Sequence, residues 1–180
     1  KNMLLGFAEF RPCEENDWPV FSDLDDLDLA KTARRLKQYS EEAGISVFER
    51  KVELSSGEFV SLMEIAENSS AHIKPVTCDD ICLVHGDPCF SNLLFDSRVE
   101  SVKCIDPRGL LPNGKVSLYG DRRYDLAKLY HSILGGYDFI VAGRYDISGD
   151  TLCAQNLCIY HDDKLVEIAC AYFLENILVD

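Results

Sequence analysis

The chain has 180 residues, 47% of them apolar, with 18 basic against 31 acidic side chains and a formal charge of -13. That length suits one domain with a real core, and no apolar run is long enough for a membrane span, nor does a signal-peptide pattern open the chain. The acidic balance argues against a nucleic-acid partner, whose phosphates need concentrated Lys and Arg. Eight cysteines are present without C-x-x-C pairing or zinc-ligand spacing. Cys82, Cys104, Cys158 and Cys170 stand in apolar segments, where a free thiol behaves as a small hydrophobe, so the expected setting is reducing and cytoplasmic.

Residues 1–22 read as irregular, with Pro12 and Pro19, and MLLGFAEF fits a short strand or a helix end equally well. Ser22 and Asp25 then form a capping-box pattern, and Leu29, Ala33, Leu36 and Ala43 recur at helical spacing, predicting a helix over 24–43 stopped by Gly44. ISVFERKVEL reads as a strand or extended link. Ser55 and Glu58 offer a second capping box, favouring a helix from Phe59 to about Ile73. The competing reading is a hairpin turning at Ser55-Ser56-Gly57, because Val52, Leu54, Val60 and Leu62 partly alternate. Pro75 ends this segment, and Thr77–Asp80 leads into an apolar strand at Ile81.

The stretch ICLVHGDPCFSNLLFDSRVESVKCIDPRG is the centre of the sequence. It reads as a strand, a tight polar loop carrying His85, Gly86, Asp87 and Asn92, and two further strands at 92–95 and 101–106 that end on Asp106. Two acids and an amide gathered at strand ends suit a divalent metal and proton transfer. After a Pro112-Asn113-Gly114 turn, Asp121 can cap a helix bearing Tyr124, Leu126, Leu129, Tyr130, Ile133 and Leu134, which reads as core and stops at Gly135-Gly136. Asp125, an acid at the start of that apolar helix, needs a partner, and the loop is one candidate. Residues 137–160 fit a hairpin or irregular loops equally, and Asp162 or Asp163 starts a last helix through Leu178.

The pattern His85-Gly86-Asp87, then Asn92, then Ile105-Asp106 after a short hairpin resembles the aminoglycoside phosphotransferase and choline kinase family, small-molecule relatives of the protein kinases. Asp121, Arg123, Tyr124, Asp125, Leu126 and Ala127 follow in an order similar to the family's next landmark, with an extra Arg122. The resemblance implies an α+β, mainly helical fold: a protein-kinase-like C-terminal lobe with short β-hairpins around the catalytic loop. It implies a transferase that moves the γ-phosphate of ATP to a hydroxyl of an amino alcohol, a sugar or an aminoglycoside. Asp87 would be the catalytic base, Asn92 and Asp106 would hold Mg2+, and His85 and Asp125 would support the loop. Arg108 suits a phosphate contact or an acid partner equally. Pro107-Arg108-Gly109 replaces the Phe-Gly that follows the metal-binding aspartate of protein kinases.

A kinase also needs a glycine-containing phosphate loop and a strand lysine. The 84 residues ahead of His85 show neither, Lys51 being the nearest candidate. The expectation is therefore that 1–180 is a single domain, the C-terminal lobe of a longer chain whose N-terminal nucleotide lobe precedes Lys1. Acceptor choice would lie in 14–75 and 137–175. The expected partners are a small-molecule hydroxyl acceptor and that N-terminal lobe, with no nucleic acid and no membrane. The alternative is a non-catalytic binding or regulatory module of the same fold; the intact Asp87, Asn92 and Asp106 weigh against it. His161-Asp162 resembles the H-D pair of metal-dependent phosphohydrolases, but the further ligands that chemistry needs do not assemble.

Overall fold

The structure, a computed structural model, describes residues 2–14, 18–24, 29–44, 46, 50–54, 56–111, 113–149 and 157–178. It is a mixed α+β chain whose described strands pair into small two-stranded sheets. By its internal contacts it divides into two compact units. The first gathers Lys1–Pro19, Thr77–Tyr145 and Ile159–Asp180; the second gathers Val20–Val76 and Asp146–Cys158. No helix among the described residues is long and apolar enough to cross a membrane.

In the second unit, α2 (Leu29–Ala43) packs on α3 (Leu62–Ser70). The start predicted for α2, with the Ser22–Asp25 cap, runs through residues 25–28, outside the described set; Ser22 itself lies in a single 3-10 turn, Phe21–Asp23. The helix favoured over 59–73 is corrected to a hairpin followed by a shorter helix. β1 (Lys51–Glu53) and β2 (Phe59–Ser61) pair antiparallel with Val52 opposite Val60. The Leu54 N–H donates to the Glu58 carbonyl at 2.8 Å to close the turn. Ser61, and not Ser55, caps α3: its Oγ accepts from the Glu64 N–H at 3.1 Å, and the Glu64 carboxylate takes the Ser61 N–H at 2.6 Å. Those two bonds hold Glu64 below its ordinary carboxylate value. Ser55 is outside the described residues.

The first unit opens with α1 (Asn2–Glu9), so MLLGFAEF is helix. α1 lies against β3 (Ile81–Leu83), where the Leu83 N–H donates to the Phe10 carbonyl at 2.8 Å. Arg11 ties down the turn before β3 by donating from Nη1 to the carbonyls of Asp79 (2.7 Å) and Ile81 (2.5 Å). β3 pairs antiparallel with β6 (Tyr119–Asp121), Ile81 facing Asp121. The predicted strands after the loop are β4 (Leu93–Asp96) and β5 (Ser101–Cys104), an antiparallel hairpin with Leu93 opposite Cys104.

β6 runs straight into α4 (Arg122–Ile133), capped by the Asp121 carboxylate through the Arg123 N–H at 2.9 Å. Segment 137–160 contains what periodicity did not indicate, the short helix α5 (Tyr137–Val141), and then β7 (Tyr145–Ile147) paired with β8 (Leu157–Ile159). Residues 150–156 between them are outside the described set. Asp162 caps α6 (Asp163–Asn176) by accepting from the Lys164 and Leu165 N–H groups.

The core joins α4 to α6. Leu129, Ile133 and Phe173 are buried together, with Leu4, Leu93, Leu126 and Ile177 packed around them. The Tyr130 and Phe173 ring centroids are 5.2 Å apart. Of the cysteines read as small hydrophobes, Cys82 is buried and Cys104 and Cys170 are partly covered. Cys158 is exposed on β8, as is its neighbour Leu157, so it does not serve as a core residue.

Candidate functional site

The loop that follows β3 is gripped along its length by one face of α4. Residues 125, 128 and 132 fall three and four apart, so they share a stripe of the helix. Asp125 accepts from the backbone N–H groups of His85 (2.7 Å) and Gly86 (2.8 Å). Lys128 Nζ stands 2.8 Å from Asp87 Oδ1. Ser132 Oγ accepts from the Phe90 N–H at 3.3 Å. The start of α5 continues the grip, with Asp138 Oδ1 taking the Ser91 N–H at 2.8 Å.

Asp125 is only 3% exposed. Burial raises its pKa above the ordinary carboxylate value, against the two N–H bonds and the nearby Arg108 charge, which pull it down. Lys128 shows the opposite balance. Burial works against its charge, but contact with the Asp87 carboxylate outweighs that and leaves its pKa raised. Its ammonium also lies 5.2 Å from the Tyr137 ring centroid, within cation–π range. His131, on the same helix, is held below its ordinary value by burial and by the Lys128 charge, against the pull of Asp138 and Asp87.

His85 is 3% exposed and braces two parts of the site. Its Nε2 is 3.0 Å from the Ile105 carbonyl, and its Nδ1 accepts from the Asp87 N–H at 3.3 Å. This pair of contacts assigns the ring proton to Nε2. Gly86 turns the chain at φ +81, and a Cβ there would meet Arg108 Cβ at 2.8 Å. Arg108 is in turn fixed by its own N–H on the His85 carbonyl (2.8 Å) and by Nη1 on the Tyr124 hydroxyl (3.0 Å).

The remaining sequence-predicted residues meet at the far end of the loop. Asn92 Nδ2 donates to the Asp87 carbonyl at 2.9 Å, which orients the amide. The Ile105 N–H donates to the Asn92 carbonyl at 3.0 Å, setting Asp106 one residue beyond that pairing. Asp106 is exposed and sits at φ +56, a left-handed conformation that Asp tolerates better than most residues. Asp87, Asn92, His85, Asp125 and Arg108 are thus linked directly through the loop, and Asp106 adjoins them through the backbone. Sequence reading had not singled out Lys128, Ser132 or Asp138. For Lys128 and Ser132 a signal existed, the shared helical face with Asp125.

Among the described residues no three His, Cys, Asp or Glu side chains converge to hold a metal unaided. The donor set of Asn92 and Asp106 is an amide and a carboxylate, both hard oxygen donors. It fits a magnesium ion that takes its other ligands from phosphate and water. His161 lies against Asp163 at 3.3 Å, and Asp162 is occupied as the cap of α6, so their H-D sequence is part of a helix start. A cavity of about 520 Å3 bounded by α1, β3, α4 and the end of α6 touches Asp125 but neither Asp87 nor Asn92. Comparison with family models, curated proteins and solved structures gave no match for this chain.

Proposed function

We propose that the chain is the catalytic and acceptor lobe of an ATP- and magnesium-dependent phosphotransferase acting on a small-molecule hydroxyl, with a protein-kinase-like C-terminal lobe as its fold. One observation carries the reading. The main chain of Asp87 is bonded on both sides and one carboxylate oxygen is paired, while Oδ2 has no hydrogen bond among the described residues. That oxygen is available to an acceptor hydroxyl.

In the proposed reaction the acceptor O–H is held on Asp87 Oδ2. As its oxygen forms a bond to the γ-phosphorus of ATP, its proton passes to the carboxylate, and the bridging P–O bond breaks with its electron pair leaving on ADP. Asn92 and Asp106 would hold the magnesium, which when bound neutralises charge on the phosphates. Arg108 contributes positive charge behind Gly86, and His85 with Asp125 keep the loop in one conformation. The nucleotide clamp is assigned to an N-terminal lobe of the same longer protein. The setting is cytoplasmic, and the acceptor is an amino alcohol, a sugar or an aminoglycoside.

The second reading, a non-catalytic module of this fold, draws on a specific feature. Among the described residues the hairpin joining β1 and β2 is the one whose two strands both precede His85, and Lys51 at its start is exposed. ATP turnover with magnesium separates the two, measured on the longest natural form of the chain with a pool of amino alcohols, sugars and aminoglycosides. Acceptor-dependent ADP release that disappears in Asp87→Asn is the expected result. Binding of Mg-ATP without stimulation by any acceptor favours the module, and no nucleotide binding at all removes the kinase reading.

A further inference from the structure

Building on the phosphotransferase reading, we infer that Lys128 is a positioning residue for the reaction, acting through Asp87 to select which carboxylate oxygen receives the acceptor proton. The polar atoms of Asp87 are engaged one by one. Its N–H donates to His85 Nδ1 at 3.3 Å. Its carbonyl accepts from Asn92 Nδ2 and from the Cys89 N–H, both at 2.9 Å. These bonds fix the main chain but leave the side chain free to rotate about two single bonds. Lys128 removes that freedom: its Nζ meets Oδ1 at 2.8 Å, leaving Oδ2 as the oxygen that faces a reactant.

Lys128 is itself restrained. It rises from α4 between Asp125 and Ser132, both bonded to the same loop, and its ammonium rests against the Tyr137 ring. The geometry of the contact is that of an ion pair and not of an aligned hydrogen bond. Its strength therefore lies in charge, and a cation of similar reach can replace it in part. An ion pair serving stability alone contributes little where it is partly open to solvent. Lys128 and Asp87 side chains are 20% and 33% exposed. A fixed carboxylate matters far more to a reaction, because a misplacement of about 1 Å can lower a rate about a hundredfold.

The test compares Lys128→Met and Lys128→Arg with the unchanged protein, on the longest natural form of the chain with ATP, magnesium and the acceptor found in the pool. Expected for Lys128→Met is a kcat lower by about tenfold to a hundredfold, with the KM for ATP changed by less than about twofold. Lys128→Arg should recover part of that loss. Folding is followed by circular dichroism. If Lys128→Met melts below the assay temperature, Lys128→Gln takes its place against Lys128→Arg, and a higher kcat for arginine is the expected result. An unchanged kcat in the methionine variant, or equal losses in the arginine and neutral variants, overturns the role of Lys128 and leaves the phosphotransferase standing. Absence of turnover in the unchanged protein overturns both.

Discussion

Asp125→Ala should be the most damaging single truncation at the site. The carboxylate is 3% exposed and accepts two buried backbone N–H groups, from His85 at 2.7 Å and Gly86 at 2.8 Å. A hydrogen bond to a charged group contributes about 1.5–3 kcal/mol, and each donor left buried and unpaired carries a penalty of similar size. Removing the ion also relieves its desolvation, which already shows as a raised pKa, so the net loss lies near the lower end, about 3 kcal/mol. In a chain of this length that lowers the melting temperature by about 6–12 °C. Asp125→Asn, which keeps one acceptor, should lose less. The sign of the pH dependence follows from the raised value. Stability from Asp125 is fully present below the ordinary carboxylate range and is lost as pH rises through the raised folded value. The advantage of the unchanged protein over Asp125→Asn should therefore shrink as pH rises from about 4. Urea melts at several pH values and amide exchange at His85 and Gly86 read both effects. A loss under about 1 kcal/mol, with those two amides as protected as before, would refute the anchoring role.

Two further substitutions or probes test the same loop and its surroundings. Gly86→Ala places a Cβ at φ +81 and 2.8 Å from Arg108 Cβ; the backbone term alone costs about 1–3 kcal/mol, so a urea midpoint unchanged from the parent would contradict the turn described. Cys82 is 1% exposed, and burial pushes its thiol up to about 11. Iodoacetamide at neutral pH should modify Cys13, Cys78 and Cys158 in the folded protein and reach Cys82 only on unfolding. Labelling of Cys82 at the rate of the exposed thiols would contradict its placement.

What could be read from sequence depended on how many structures a local pattern admits. His85-Gly86-Asp87 and Asn92 lie between apolar runs, and a polar cluster so bounded has few places to go except a loop at strand ends. The β4–β5 hairpin was legible for the same reason. Segment 52–66 was ambiguous because the Ser55-Glu58 capping-box pattern favours a helix while Val52, Leu54, Val60 and Leu62 partly alternate as in a hairpin. The pairing of Val52 with Val60, a contact across the turn, decides for the second. α5 spans five residues, too short for a helical period to show. Lys128 was passed over because a lysine on a helix is most often a solvated residue. Its significance appears once Asp125, two turns of sequence context and the loop are seen together on one face.

That shared face bears on whether the loop serves chemistry or only the fold. α4 presents Leu126, Leu129 and Ile133 to the core and Asp125, Lys128 and Ser132 to the loop, so core packing sets the height and rotation of the grip. A loop needed for stability alone would be better served by apolar contacts. Buried ions bring a desolvation cost that well-packed hydrophobic residues avoid. Here an acid is buried at Asp125 and left-handed backbone is held at Gly86 and at Asp106, a conformation that costs a non-glycine residue about 1–3 kcal/mol. All of this converges on one aspartate whose other polar atoms are engaged and whose Oδ2 is left open. In the proposed phosphotransferase a bound hydroxyl would take that oxygen, and the Asp87→Asn comparison of ATP turnover separates this use from a scaffold in which solvent satisfies it.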